Sequence, residues 1–523
     1  ARTGPTRLPV LTDWGGAAAP AGLARYESQL FGAEFQNNLF AALFNYHKVT
    51  RHVLQPNGAT FKTHDEDFLA CENIEFHPTD VLEDADGSLL VIETGGWYWY
   101  RHCCPTSRFY KPQVAGAIYR IRRAGAPAVD DPRGLKLDWK GISPAKLTGL
   151  LGDDRPAVRR RAIHELAKRG EDSLAVLRGM IGPGRQIGAG VALPDRPTIE
   201  GSVTARRGAV WAATRIDGAN ARAVVRAALG DADELVCQAA LHSVSLWRDR
   251  AALPRLLATL KSASPHNRRA AAEALGRIGN SAAVPALLAA LARPADRILE
   301  HSLIFALIEI ADRDATAAGL KNKNVRIRRA AMTVLDQMPN GNLAPRVVAA
   351  ELDSSDPKLR ETAWWIAGRH PQWGEALSGA LRRQVVAKEQ SRAERDIIVS
   401  RLARFARTPA LRTWLVERLS AADSSRESKR IVLRTIAQSN GKNIPEEWIA
   451  ALAGVLGGED AELFAEAITT VHALQINPQE SEALKDELAQ LRNALLSLTR
   501  NADLRRELRL QAAAVVPGGL DEV

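Results

Sequence analysis

The sequence predicts a mainly α-helical chain: a solenoid of about eleven helical hairpins, preceded by a small all-β segment. Three observations predict it. An apolar pattern at i, i+4 and i+8 returns along roughly residues 143–516, which is the signature of stacked helical units. That region is rich in Ala, Leu and Arg, which are helix formers. The first quarter instead holds all six Tyr and most of the Phe, in short runs separated by turn residues. A length of 523 residues exceeds one ordinary core, and 46% hydrophobic residues argue against wholesale disorder. Four Cys cannot staple a chain of this size, and no apolar run reaches membrane-spanning length.

The segment LGDDRPAVRRRAIHELAKRG (151–170) sets the repeat. An acidic turn and Pro156 lead into a helix, Val158, Ala162 and Leu166 share one face, and Gly170 closes it. The first anchor recurs at Val158, Ala205, Val236, Asn267, Ile298, Ile327, Leu359, Glu394, Ser428, Leu463 and Leu508. The four steps from Ala205 to Ile327 are 31, 31, 31 and 29 residues. The longer first step contains the Gly/Pro-rich insertion 181–197, whose GPGRQIGAG lies between helices and therefore reads as a loop, not a nucleotide fingerprint. Second helices such as AVPALLAALA (283–292) lie between copies, so each unit is a hairpin that buries its apolar face only by stacking on neighbours.

The spacing and the D-x-x-V-R-x-x-A pattern resemble HEAT repeats. That resemblance implies a binding scaffold with a protein partner. The +10 net charge belongs to the helical region, because residues 1–125 carry 12 basic and 13 acidic residues. Much of it recurs just after the first anchor, at Arg159, Arg206, Arg268, Arg328 and Arg360 among others. A basic stripe for phosphates is one reading. The preferred one is structural: in HEAT repeats this Arg bonds the Asp of a neighbouring turn, forming a ladder, with Asp154, Asp296 and Asp356 suitably placed. That reading weighs against nucleic acid. The Arg159–Arg161 run reads as a solvated face, and of Trp364 and Trp365 one is expected in the core and the other at the surface.

Residues 1–124 form the expected β-segment, 125–142 a linker and 143–523 the solenoid. Expected strands are 38–44, 48–54, 59–63, 78–84, 88–93 and 116–123, with tight turns at QPNGA (55–59) and ADG (85–87). The strings PAGLARYES (20–28), FGAEFQNNLFAALFNYHKVTRHVL (31–54), FHPTDVLEDADGSLLVIETGGWY (76–98) and GAIYRIRR resemble the glucose/sorbosone dehydrogenase type of β-propeller blade. With the helical repeats, and with GGWYWYRHCCPTS (95–107) and DPRGLKLDW (131–139), the chain resembles exported bacterial proteins that join such a propeller to HEAT repeats. The resemblance implies about two blades and an exported, periplasmic or cell-surface location. A propeller needs at least four blades to close. Either further blades precede Ala1, or the segment stands as an incomplete sheet packed on the solenoid. Pyrroloquinoline quinone (PQQ) and calcium are implied only for a complete propeller, as in a sugar or alcohol dehydrogenase whose solenoid docks an electron acceptor. No catalytic base transfers to this chain, which alone is expected to be inactive, and no C-x-x-C-H haem site occurs.

Within the blades, His77 and Asp80 begin a strand at a position that often faces a propeller's channel. Trp97, Tyr98, Trp99, Tyr100 and Arg101 follow in a long loop that could stack on a sugar or quinone ring, or pack onto the sheet. No residues have metal-ligand spacing, and Cys237 reads as a buried, inert thiol. Cys103 and Cys104 are adjacent. A vicinal disulfide, a bond from one of them to Cys71, or free thiols are the alternatives. Mass mapping of the unreduced, exported protein decides among them, and two titratable thiols at 103 and 104 reject the vicinal disulfide.

Overall fold

A computed structural model describes residues 18–73, 76–94, 115–181, 202–386, 391–439, 444–476 and 484–519. The chain divides into two compact units, Ala1–Gly319 with Gln337–Pro339, and Leu320–Asp336 with Asn340–Val523. Among the described residues there are 22 α-helices and seven strands, and no helix is long and apolar enough to cross a membrane.

The first unit opens with two antiparallel sheets. Strands β1 (Pro20–Arg25), β2 (Leu39–Leu43), β3 (Lys48–Asn57) and β4 (Thr60–Ala70) pair in chain order, as do β5 (Pro78–Glu83), β6 (Leu89–Glu93) and β7 (Ala117–Ile121). Among the described residues the sheets do not close into a barrel. They share one core, in which Phe40 and Val49 of the first meet Val81, Leu89 and Val91 of the second around Tyr26, Phe31 and Phe76. Tyr26 donates its hydroxyl to the Gly87 carbonyl at 2.8 Å, and burial pushes that hydroxyl up to about 12. Glu83 on β5 accepts from the amides of Glu27 and Ser28 at 2.7 Å each, fastening the end of β1 to the second sheet.

Two features exceed the expected strands. β1 was not expected as a strand, because Pro20, Ala21, Gly22 and Ala24 have little β preference. Gly22 is needed there: a Cβ would come within 2.5 Å of the Asp80 Cα on the neighbouring β5. The β3–β4 hairpin is also longer than 48–63, pairing from Lys48↔Ala70 to Asn57↔Thr60 around the two-residue turn Gly58–Ala59, with a register shift between Val49 and Thr50. The 125–142 segment has no helix or strand, yet it is folded. Trp139 is buried, its indole N–H donates to the Gly134 carbonyl at 2.6 Å, and Arg161 lies over its ring.

The helices form hairpins in two layers. In the first unit, α2 (Pro156–Lys168), α4 (Val203–Thr214), α6 (Glu234–Leu246), α8 (Pro265–Ile278) and α10 (Arg297–Ile310) pack in succession. Behind them lie α1 (Pro144–Leu150), α3 (Leu174–Met180), α5 (Ala219–Ala228), α7 (Leu253–Thr259), α9 (Val284–Leu291) and α11 (Arg313–Ala317). The second unit repeats the scheme. Its even helices are α12 (Val325–Gln337), α14 (Pro357–Ala367), α16 (Arg392–Ala403), α18 (Arg426–Gln438), α20 (Ala461–Leu474) and α22 (Arg506–Ala514). Its odd helices are α13 (Pro345–Glu351), α15 (Gly374–Val386), α17 (Pro409–Ser420), α19 (Glu446–Leu456) and α21 (Lys485–Arg500).

The repeated acidic or hydroxyl residue before each anchor has a local cause. Ser202, Asp233, Ser264, Asp356 and Ser425 each accept from the amide three residues on, which belongs to the anchor. The same rule corrects one anchor: Asp296 caps Leu299, which is buried, while Ile298 is only half-buried. Glu394 is exposed and serves a capping box with Ser391, so α16 begins its buried stripe at Ile398. At the middle position Ala162, Ala209, Ala240, Ala271, Ala331, Ala363, Ala467 and Ala512 are all fully buried. Trp364 is in the core and Trp365 is half-exposed.

Gly276 of α8 marks a close helix approach in the first unit, since a Cβ there would stand 2.9 Å from the Ala306 Cα of α10. Gly276→Val is expected to force these helices apart and destabilise the first unit by about 1–3 kcal/mol. Urea unfolding followed by hydrogen exchange of α8 and α10 checks this.

Candidate functional site

Of the residues expected at a propeller channel, the described ones are His77, just before β5, and Asp80, within it. His77 is 2% exposed, with its ring stacked on Phe44 at 4.5 Å and its Nδ1 3.3 Å from the Phe44 carbonyl. Asp80 lies against Gly22 and accepts from the Val81 amide at 2.8 Å. Among the described residues no group of His, Cys, Asp and Glu could hold a metal ion. Trp97–Arg101, Cys103, Cys104 and the 182–190 loop lie outside the described residues. Cys71 is exposed and free, and Cys237 is buried, with its thiol pushed up to about 11 by burial.

The arginines that follow the anchors behave in more than one way. Arg206 makes the expected cross-turn bond, its Nε donating to Asp231 at 2.9 Å. Arg328 reaches Glu351 at 3.0 Å but also turns back to the carbonyls of Asn322 and Lys323. Arg159 donates to the carbonyls of Asp153 and Asp154, and Arg360 to that of Ser354. Arg268 leaves its buried Nε without a hydrogen-bond partner among the described residues. The ladder is therefore corrected to a mixture, for a steric reason. From the first helical turn the guanidinium fork reaches the carbonyls five and six residues back more directly than the next turn's carboxylate. Asp296 and Asp356 are occupied as helix caps. A regular ladder does occur on α18, where Arg426, Arg430 and Arg434 pair with Asp460, Glu462 and Glu466 at 3.0, 3.3 and 2.8 Å. Its signal in the sequence is the spacing of these arginines, four residues apart.

The β-segment also touches the even helices of the first unit. The β3–β4 tip is gripped by its main chain. Asp296, while capping α10, also accepts the Ala59 amide at 3.0 Å. Arg269 of α8 donates to the Ala59 carbonyl at 3.2 Å, and His266 Nε2 donates to the Thr60 carbonyl at 3.0 Å. The other His266 nitrogen faces Glu234 of α6 at 3.1 Å, and Phe61 covers the ring at 4.7 Å. Gly58 has φ +62°, and a Cβ there would stand 2.5 Å from Asp296 Oδ2, so glycine is required on two counts. At the other end, Glu27 pairs with Arg160 of α2 at 3.0 Å. A cleft of about 520 Å³ near this end is lined by Asp86, Arg123, Asp154 and Arg155. Its charges are largely spent: Asp86 on Ser88, Arg155 on Asp153 and Arg123 on the Phe31 carbonyl.

Comparisons with known proteins match two parts of the chain. Residues 227–308 match the model for HEAT repeats, and residues 7–124 match a domain of unknown function (DUF7133). No curated protein matches the chain. Among solved structures it is similar to Kap121p, at 14% identity over 73% of this chain and 46% of that one, with a TM-score of 0.41. It is also similar to yeast importin-β (Kap95p), at 14% identity over 71% of this chain and 57% of that one, with a TM-score of 0.36. The chain spans about half the length of these structures.

Asp296→Ala removes both a helix cap and the hairpin's anchor. A loss of about 1–2 kcal/mol is expected from the cap. Faster hydrogen exchange at Ala59 and Thr60 than at the rest of β3 and β4 is the accompanying signature.

Proposed function

We propose that this chain is a protein-binding scaffold. The observation that carries the reading is the grip on the hairpin tip. Asp296, Arg269 and His266, on neighbouring even helices, engage the main-chain groups of residues 59 and 60. A helical face that holds one extended segment through its backbone has the donors and acceptors to hold another elsewhere along the array. The HEAT-repeat match and the stacked hairpins support the same reading.

A finer proposal keeps the β-segment as two blades of a sorbosone dehydrogenase-like propeller, in an exported protein whose solenoid docks an electron acceptor. It is supported by the two successive antiparallel sheets packed through a shared core. His77 and Asp80 do not fit a quinone and calcium site, however, since His77 is packed against Phe44 and Asp80 accepts from the Val81 amide. Any oxidation would depend on parts outside them.

Chemical cross-linking of the full chain in its native cells, with mapping of the linked peptides, tests the scaffold. One stoichiometric protein linked to the helical repeats is expected. The scaffold reading fails if only self-links form while the chain reduces a dye with sugar, PQQ and calcium.

A further inference from the structure

The contact that His266 of α8 makes with the β3–β4 tip depends on a proton. Both of its ring nitrogens face oxygen atoms that only accept. Nε2 lies 3.0 Å from the Thr60 carbonyl, and Nδ1 lies 3.1 Å from Glu234 Oε1 of α6. Gln238 donates to that same Glu234 oxygen at 2.8 Å and holds the carboxylate in place. The ring is largely enclosed, with 11% of the side chain exposed and Phe61 at 4.7 Å. A neutral imidazole carries one N–H and one lone pair, whereas an imidazolium carries two N–H groups. With two acceptors in place, only the imidazolium satisfies both. Losing the proton sets a lone pair against either the carboxylate or the carbonyl, whichever tautomer forms.

The rest of the grip keeps its charge when His266 loses its own. Arg269 of α8 stays charged, donating to the Ala59 carbonyl at 3.2 Å and to Glu273 at 3.0 Å. Asp296 of α10 accepts the Ala59 amide while capping its own helix, and carboxylates ordinarily titrate below the range of histidine. Asp233 of α6 is taken up by the amides of Leu235 and Val236. On the hairpin, Lys62 pairs opposite Gln55 and His64 opposite Val53, farther from the turn. The pairing of β3 with β4 does not involve the helices, so the tip can leave them without unzipping.

We propose that His266 is a pH-sensitive latch, which holds the β3–β4 tip on the helices when protonated and loosens it when neutral. The sign follows from the hydrogen bonds. The docked state takes up the proton, so docking is strongest at the acid end of histidine's range, about pH 5, and weakens as the pH rises toward about 8. Opening uncovers His266 and Arg269 on α8 together with the Asp296 carboxylate on α10. The latch concerns contacts within this chain and does not rest on the scaffold reading.

The test is hydrogen exchange of the full chain at about pH 5 and about pH 8, expressed as protection relative to each amide's intrinsic rate. Protection of the Ala59 amide is expected to fall by roughly tenfold at the higher pH, while α8, α10 and β2 keep theirs. Glu234→Gln supplies an amide that can donate to a neutral ring nitrogen as well as accept from a charged one, so the fall is expected to vanish. Glu234 is exposed, so this variant is expected to keep the fold. His266→Gln is expected to give a tip whose protection is the same at both pH values. Equal protection of Ala59 at both pH values in the unaltered chain overturns the proposal. So does a fall that runs in parallel through α8 and α10, or one that persists in both variants.

Discussion

The structure rests on a short register: a capping side chain, a buried anchor three residues later, and a small buried residue four residues after that. The cap satisfies an amide that the first turn leaves open. The same geometry fixes which residue faces inward, so the polar signal and the apolar signal are two consequences of one turn. The alanines at the middle position then let neighbouring even helices approach closely, and the stacking of hairpins follows. Where the register slips by one, as at Asp296 and Leu299, the cap and not the nominal spacing decides which side chain is buried.

The repeats were legible because their signals are local. Val158, Ala162 and Leu166 announce their helix face with no knowledge of the rest of the chain, and each nominal anchor lies in the first turn of an even helix. The β-segment was legible only in part. β1 was hidden because Gly22 serves a close approach to β5, a contact between residues distant in sequence. The extension of β4 to Ala70 was hidden because its HDED run reads as polar, as an edge strand requires.

The site followed the same division. His77 and Asp80 were singled out from their place in a blade, but side-chain direction is set by packing, and both are absorbed by neighbours. The residues that hold the hairpin, His266, Arg269 and Asp296, look in sequence like ordinary members of a repeat. Only the fold brings Ala59 more than two hundred residues along the chain to meet them. The Arg159–Arg161 run shows the limit from the other side. Three consecutive arginines read as one solvated face, yet Arg161 stacks on Trp139 while Arg160 crosses to the β-segment.

The grip on the hairpin tip also bears on how this surface tolerates change over generations. The helices address the amide and carbonyl of residue 59 and the carbonyl of residue 60, groups that nearly every amino acid possesses. Substitutions at Thr60 therefore carry little penalty for attachment, whereas Gly58, whose turn leaves no room beside Asp296, is held fixed by geometry alone. The helical half is free to drift as long as it preserves an acceptor at 296 and donors at 266 and 269. Divergent relatives would then keep the junction while sharing almost no recognisable residues across it.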